Sequence, residues 1–300
     1  MLRLMLDAHP DVAIPPESNF IPRLVREWPR LARGGRVDAD EVVQTIGRRL
    51  DHMRIPRELA ALRIAGVASP TPATATDAIF RIHAEREGAS RWADKTPGYV
   101  EHLPLLARLF PESRFVHIVR DGRDVALSCL EVGFGPRTIP EAARAWSREV
   151  GAGHRDGRRL GSARYHELRY EDLVDDPETQ LKDLCAFLEM EFAAEMLRFY
   201  ENAGSRLTDE ERPHHPNVVG PATRLRDWRN EMEPSDVEDF EAVAGRLLST
   251  LGYERRSPKP PADVRVRAFL TMRRLDLLAA RVRTKKNVER KRRALARARR

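Results

Sequence analysis

Apolar positions run along this chain in two rhythms, and their alternation predicts strands interleaved with helices. Phe115, Val116, Ile118 and Val119 form a short run rich in β-branched residues, the pattern of a strand covered on both faces. After the Asp121-Gly122 turn, Val125, Ala126, Leu127, Cys129 and Leu130 continue at helical density. Residues 164–170 alternate as a second strand, followed by an acidic turn and a strongly amphipathic helix over 177–188. Shorter strands are expected at 12–14 and 91–97, and a helix end at 1–9 is stopped by the His9-Pro10 step. Helices are further expected over 19–28, over 38–52 with Asp38 as cap, over 99–110, over 139–153, and over 234–251 with Gly252 closing it. The small, Pro/Thr-rich stretch 68–76 reads as a surface loop or lid. Strands separated by helices, with no hairpin signals and no internal repeat, predict an α/β fold with a largely parallel sheet.

Composition narrows the class. A 300-residue chain that is 41% hydrophobic can fill one large core, and 33% charged residues solvate its surface. No window approaches the roughly 18 uncharged apolar residues of a membrane span. Two cysteines, Cys129 and Cys185, sit inside apolar helical patterns, which excludes a disulfide framework and fits a reducing, cytoplasmic setting. Residues 259–300 hold 16 Lys or Arg against Asp263, Asp276 and Glu289, a net +13, which leaves residues 1–258 at −6 of the chain's +7. The division is therefore an α/β domain over 1–256 and a basic tail, helical or disordered, over 257–300. The acidic body weighs against nucleic-acid binding driven by the basic tail, so no nucleic-acid partner is expected. For the tail, a solvated extension stands beside contact with an anionic membrane surface.

Five constellations carry candidate chemistry. Arg120 follows the 115–119 run at the carboxyl end of a strand, where open α/β sheets bind ligands. Ser128, read as near the start of the next helix, would lie on the end that favours anions, so the two can grip a phosphate from two sides. The alternative is an ordinary βα unit whose Arg pairs with a carboxylate. Tyr170 ends the 164–170 strand and offers an apolar face and a hydroxyl, with Glu171 and Asp172 as structural neighbours. Lys95, in Asp94-Lys95-Thr96-Pro97, can neutralise an anion or form a surface pair with Asp94. Glu17 follows Pro15-Pro16, which fix the local backbone; it reads as a general base or as a helix-N-terminal carboxylate. Arg224, Arg226 and Trp228 interleave cations with an aromatic ring, a pattern that can hold phosphate and base. Two weaker signals are discounted. Gly151-Ala152-Gly153 with Gly157 follows a helical segment rather than a strand, and His214-His215 lacks a third metal ligand.

Taken in order, these strings resemble the sulfotransferase family that uses 3′-phosphoadenosine 5′-phosphosulfate (PAPS), in particular its carbohydrate-acting members. The resemblance spans most of residues 1–255. It implies that Arg120 and Ser128 contact the donor 3′-phosphate and that Tyr170, in the Tyr-Glu-Asp-Leu string, lies against the adenine. It further implies that Lys95 lines the acceptor region and that Glu17, after His9-Pro10-Asp11, deprotonates the acceptor. Asp227-Trp228-Arg229-Asn230 is similar to a loop that closes over the donor, although the glycines flanking it in cytosolic members are replaced by Thr223 and Arg226. The implied fold is a P-loop-NTPase-like parallel sheet flanked by helices. The family's first strand and its glycine-containing loop for the 5′-phosphosulfate have no counterpart in this sequence. A misassigned start codon is expected, with a truncated, non-catalytic relative that binds nucleotide weakly or not at all as the alternative. The expected reaction is sulfuryl transfer from PAPS, as co-substrate and without a metal, to a hydroxyl or amine of a small-molecule, glycan or glycolipid acceptor.

Overall fold

The computed structural model describes residues 1–33, 36–131, 135–207, 220–224 and 226–298. Its strands pair in parallel, as helical crossovers require. β1 (Val12–Ala13) lies beside β2 (Arg91–Trp92), with Ala13 opposite Trp92. β3 (Phe115–Val119) lies beside β4 (Tyr165–Arg169), with Phe115 opposite Tyr165 and Val119 opposite Arg169. Among the described residues these are two separate two-stranded pairs. The chain divides into two compact units, residues 1–119 with 152–224 and residues 120–151 with 225–300.

In the first unit, α1 (Leu2–Asp7) precedes β1. Between β1 and β2 come α2 (Ile21–Leu31), α3 (Ala39–Ile46), α4 (Arg48–His52), α5 (Arg57–Ala65) and α6 (Pro72–Arg86). Their apolar stripes meet in one cluster, with Phe20, Leu24, Val42, Leu50, Ile64, Ile79 and Phe80 all buried. Phe80 stacks on Trp92 at 4.5 Å, which fastens this cluster to β2. A 3₁₀ helix (Pro97–His102) then runs into α7 (Leu103–Leu109). After β4, α10 (Tyr170–Asp175), α11 (Pro177–Leu188), a 3₁₀ helix (Ala194–Glu201) and α12 (Ala203–Arg206) follow. Leu168, Leu173, Leu181, Leu184, Met196 and Phe199 bury themselves against Leu4 and Met5 of α1.

The second unit holds α8 (Gly122–Glu131), the first part of α9 (Ile139–Arg158), α13 (Trp228–Glu231), α14 (Pro234–Thr250) and α15 (Ala262–Ala298). Val237, Phe240, Ala244 and Leu248 of α14 are buried together with Ala126, Trp146 and Trp228.

Two expectations change, and one open alternative is narrowed. The stretch read as a lid is partly helix: Thr71 caps α6 by accepting from the Thr74 N–H, and Pro72 occupies the first helical position. The helix expected over 38–52 keeps its Asp38 cap but breaks at Gly47, whose φ of +65° only glycine adopts cheaply. The tail is a helix, α15, from Ala262 to Ala298.

Candidate functional site

The residues singled out from the sequence fall into local constellations that belong to different compact units, and each is described within its own. In the second unit, Arg120 directly follows β3, and its carbonyl accepts a hydrogen bond from Trp146 Nε1 at 3.1 Å. Gly122 opens α8 where a Cβ would stand 2.5 Å from both Trp146 and Phe240, so the close approach there demands glycine. Because α8 already begins at Gly122, Ser128 is its seventh residue and lies in the second turn, away from the free N–H groups. Its hydroxyl donates to the Asp124 carbonyl at 3.1 Å. The structure therefore does not place Ser128 at the helix start beside Arg120, where the sequence pattern predicts it.

A neighbour that sequence reasoning passed over organises this region. Arg123 is completely buried. Its guanidinium donates to both Asp121 oxygens, at 3.0 and 2.7 Å, to Glu241 Oε1 at 2.7 Å, and to the Glu254 carbonyl at 2.8 Å. Glu241 in turn accepts from the backbone N–H groups of Arg256 and Ser257. Four of the five N–H donors of a planar fork are used, which is the task that suits arginine. The guanidinium also lies 3.5 Å from the centre of the Trp228 ring, with that of Arg229 at 4.7 Å. Trp228 is buried, and its backbone N–H donates to Asp124 Oδ1 at 2.7 Å. In this structure its ring therefore packs against α8 rather than presenting a platform for a base. Arg226 pairs with Glu131 and with Glu231, the latter at 2.8 Å, so that cation is already countered.

In the first unit, the parallel pairing of β1 and β2 brings their carboxyl ends side by side, and with them two loops far apart in sequence. Lys95 Nζ donates to Glu17 Oε1 at 2.5 Å, and both side chains remain about one-third exposed (36% and 32%). The expected surface partner of Lys95 was Asp94; instead Asp94 turns inward. Ser18, fully buried, donates from Oγ to Asp94 Oδ2 at 2.5 Å, and Thr96 Oγ1 donates to Asp94 Oδ1 at 2.9 Å. Ser18 Oγ also shares a hydrogen bond of 2.9 Å with the Tyr99 hydroxyl, which accepts the Ile21 N–H. Burial pushes the Asp94 carboxyl up to about 6, against the opposing pull of the Ser18 and Thr96 hydrogen bonds. Burial, with the Asp94 charge, pushes Tyr99 up to about 12. Buried Ser18, with half-buried Asp94 and Tyr99, thus forms a hydrogen-bonded base under the Glu17–Lys95 pair. Glu17 lies in the loop before α2 rather than on a helix.

Tyr170 stands at the end of β4 as the first residue of α10, and its hydroxyl donates to the Thr223 carbonyl at 3.3 Å. Arg224 pairs with Asp175. A cleft of about 410 Å³ beside them is lined by Asp175, Asp176 and Glu178, with Met5, Leu197 and Phe199. Three carboxylates make that cleft a poor seat for phosphate. Deeper along β3 and β4, Glu167 lies 2.9 Å from His154 Nδ1 and accepts from the Tyr165 hydroxyl at 2.8 Å, with His117 also close. Burial alone would raise this carboxyl, but hydrogen bonds from His117, His154 and Tyr165 outweigh it and hold Glu167 at about 2. Glycines at 153 and 157 let α9 pass directly over the His117 and Tyr165 rings, which marks the cluster as scaffold. Among the described residues, no group of three or more His, Cys, Asp and Glu side chains is placed to hold a metal ion. His214 and His215 lie outside the described residues.

Comparison with known proteins bears on what these constellations do. A model described as the sulfotransferase family matches residues 1–194, and one described as the sulfotransferase domain matches residues 158–252. The chain is 26% identical over 272 residues to protein-tyrosine sulfotransferase 1 of Danio rerio, covering 87% of this chain and 70% of that protein. It is 25% identical over 273 residues to the protein-tyrosine sulfotransferase of Drosophila melanogaster, where it spans 87% of this chain but half of the relative's length (50%). Among solved structures, the sulfotransferase domain of the Synechococcus PCC 7002 olefin synthase superposes with a TM-score of 0.56 at 24% identity, over 84% of this chain and 90% of that one. The sulfotransferase domain from the curacin biosynthetic pathway gives 0.54 at 21% identity, over 85% and 93%. These two share the α/β fold.

Proposed function

The chain belongs to the sulfotransferase family, and from that premise we propose that it moves a sulfuryl group from PAPS to a hydroxyl. The first acceptor to test is the phenolic oxygen of a tyrosyl residue in a polypeptide. The glycan or glycolipid expected from the sequence gives way to tyrosine because the relatives that align over 87% of the chain are named protein-tyrosine sulfotransferases. The observation that carries the reading is the Glu17–Lys95 pair, about one-third exposed at the joined carboxyl ends of β1 and β2.

The donor supplies the sulfuryl group, with adenosine 3′,5′-bisphosphate as leaving group. Glu17 accepts the proton of the acceptor hydroxyl as its oxygen forms the new bond to sulfur. Lys95, already beside that carboxylate, places a positive charge where oxygens gain negative charge. Arg120 holds the 3′-phosphate, and Tyr170 offers its ring to the adenine. These residues account for the 3′-phosphate and the acceptor; none of them is assigned to the 5′-phosphosulfate.

Calorimetric titration with adenosine 3′,5′-bisphosphate tests the donor half. A charge-assisted hydrogen bond to phosphate is worth about 1.5–3 kcal/mol, so Arg120→Ala should weaken binding roughly 10- to 150-fold. Adenosine 5′-phosphate, which lacks the 3′-phosphate, should bind the unaltered chain about as weakly as the bisphosphate binds the variant. Equal affinity of the unaltered chain for both nucleotides would remove the 3′-phosphate role from Arg120.

A further inference from the structure

α15 carries two opposed faces. On one, Val264 and Ala268 are buried, the helix packs along α14, and Arg267 donates to Asp239 of α14 at 2.6 Å. On the other, Val266, Phe269, Leu270 and Leu277 are 57–63% exposed. At 3.6 residues per turn these four fall within an arc of about 100°, centred opposite Val264 and Ala268. The other large apolar residues exposed among the described ones are Leu62, Ile118 and Leu130, each on a separate element. An apolar arc of this kind, with one side of its helix already fixed to a folded body, is a surface waiting for an occupant.

Charge selects the occupant. Arg265 borders the arc on one side and Arg274 and Arg281 on the other, while Arg273 rises within it, 6.0 Å from the Phe269 ring centre. Of the nearby acids, Asp276 is engaged by Arg144, and Asp263 sits in the first turn, where the helix dipole favours a carboxylate. Residues 259–300 carry a net +13 against −6 for the remainder of the chain. A second copy of the chain would bring +13 against +13, and a nucleic acid offers no complement to four exposed apolar side chains. An anionic bilayer supplies both halves, negative headgroups for the arginines and an acyl boundary for the apolar arc. Long arginine side chains such as Arg273 reach up from within the arc to the headgroups.

We propose that α15 docks the protein on an anionic phospholipid surface, with Val266, Phe269, Leu270 and Leu277 facing the acyl boundary. The full chain should therefore sediment with vesicles of phosphatidylcholine containing roughly 30% phosphatidylserine, and at least ~10-fold more weakly with phosphatidylcholine alone, since each arginine near such a surface contributes about five-fold. The double variant F269E/L270E alters two exposed positions outside the proposed site. It should lose at least ~10-fold in vesicle affinity while its circular dichroism and its affinity for adenosine 3′,5′-bisphosphate stay unchanged. Equal binding to neutral and anionic vesicles would overturn the proposal, as would no binding to either. Wild-type-like binding by F269E/L270E would overturn it too, by leaving charge alone as the cause. So would a concentration-dependent dimer that this variant abolishes, because the arc would then belong to a second copy.

Discussion

Replacing Arg123 by Met is the sharpest test of how the second unit is held together. The side chain is completely buried, and so is that of Glu241, with Asp121 nearly so. Methionine fills much of the same volume but leaves these two carboxylates facing one another without the guanidinium between them. Breaking a buried ion pair by removing one partner costs about 3–5 kcal/mol. Glu241 keeps the N–H groups of Arg256 and Ser257 and the Arg255 guanidinium at 3.8 Å, which places the expected loss toward the lower end of that range. For a chain of this size, about 3–5 kcal/mol lowers the unfolding midpoint by roughly 5–8 °C. Arg123→Lys should recover little of it, because one ammonium cannot span Asp121, Glu241 and the Glu254 carbonyl together. Thermal unfolding followed by circular dichroism and by tryptophan fluorescence gives the midpoints, with Trp146 and Trp228 reporting on this unit. Adding Glu241→Gln to Arg123→Met removes one stranded charge, so the double variant should be no less stable than the single one. A midpoint within about 2 °C of the unaltered protein for Arg123→Met, or for Arg123→Lys, would refute the reasoning.

Two further outcomes follow from the buried groups. Asp94 holds its proton up to about 6, whereas the unfolded chain releases it near the ordinary value of 3.8. The native state therefore binds the extra proton between those values, and the stability Asp94 contributes, about 3 kcal/mol, is lost as pH rises through 6. Glu167 acts in the opposite sense and lower down: held at about 2, it contributes stability that disappears as pH falls below its ordinary 4.5. Asp94→Asn should flatten the fall in melting temperature between pH 4 and 7 and leave the acid limb as it was; an identical slope in both proteins would contradict the assignment. Gly157→Ala places a methyl group 2.0 Å from the Tyr165 ring, so α9 must lift off β4. A cost of about 1–3 kcal/mol in chemical denaturation is expected, and a neutral substitution would show that the helix shifts freely.

What could be read from the sequence depended on how far apart the partners lie. α11 falls at Pro177–Leu188 as expected, because its signals are local: Asp176 caps it and Pro177 occupies the first turn. β4 follows its alternation in the same way. The Thr71-Pro72 start of α6 was equally local but was hidden by a composition that suggested a loop. Ser128 was misplaced along its helix because Gly122 was assigned to a turn, whereas it is the first helical residue. Glu17 and Lys95 were each legible as candidates, yet their contact is not, since it requires β1 to pair with β2 across 78 positions of chain. The inward turn of Asp94 depends on the same pairing. Arg123 was the hardest to read, because its buried partner Glu241 lies 118 positions away and nothing near it in sequence announces burial. The opposed faces of α15 likewise appear only once one of them is covered by α14.

The central claim is that Glu17 takes the acceptor's proton during sulfuryl transfer from PAPS. The direct measurement is the initial rate of transfer from PAPS to a tyrosyl peptide by the unaltered chain and by Glu17→Gln, with affinity for adenosine 3′,5′-bisphosphate determined on the same preparations. The glutamine keeps the shape and a hydrogen bond to Lys95 but cannot accept the proton. Transfer by the unaltered chain, a fall in kcat of about 10²–10⁴-fold in the variant, and nucleotide affinity within about two-fold is the predicted result. Turnover by Glu17→Gln at the unaltered rate, or no transfer by either protein, would contradict the account.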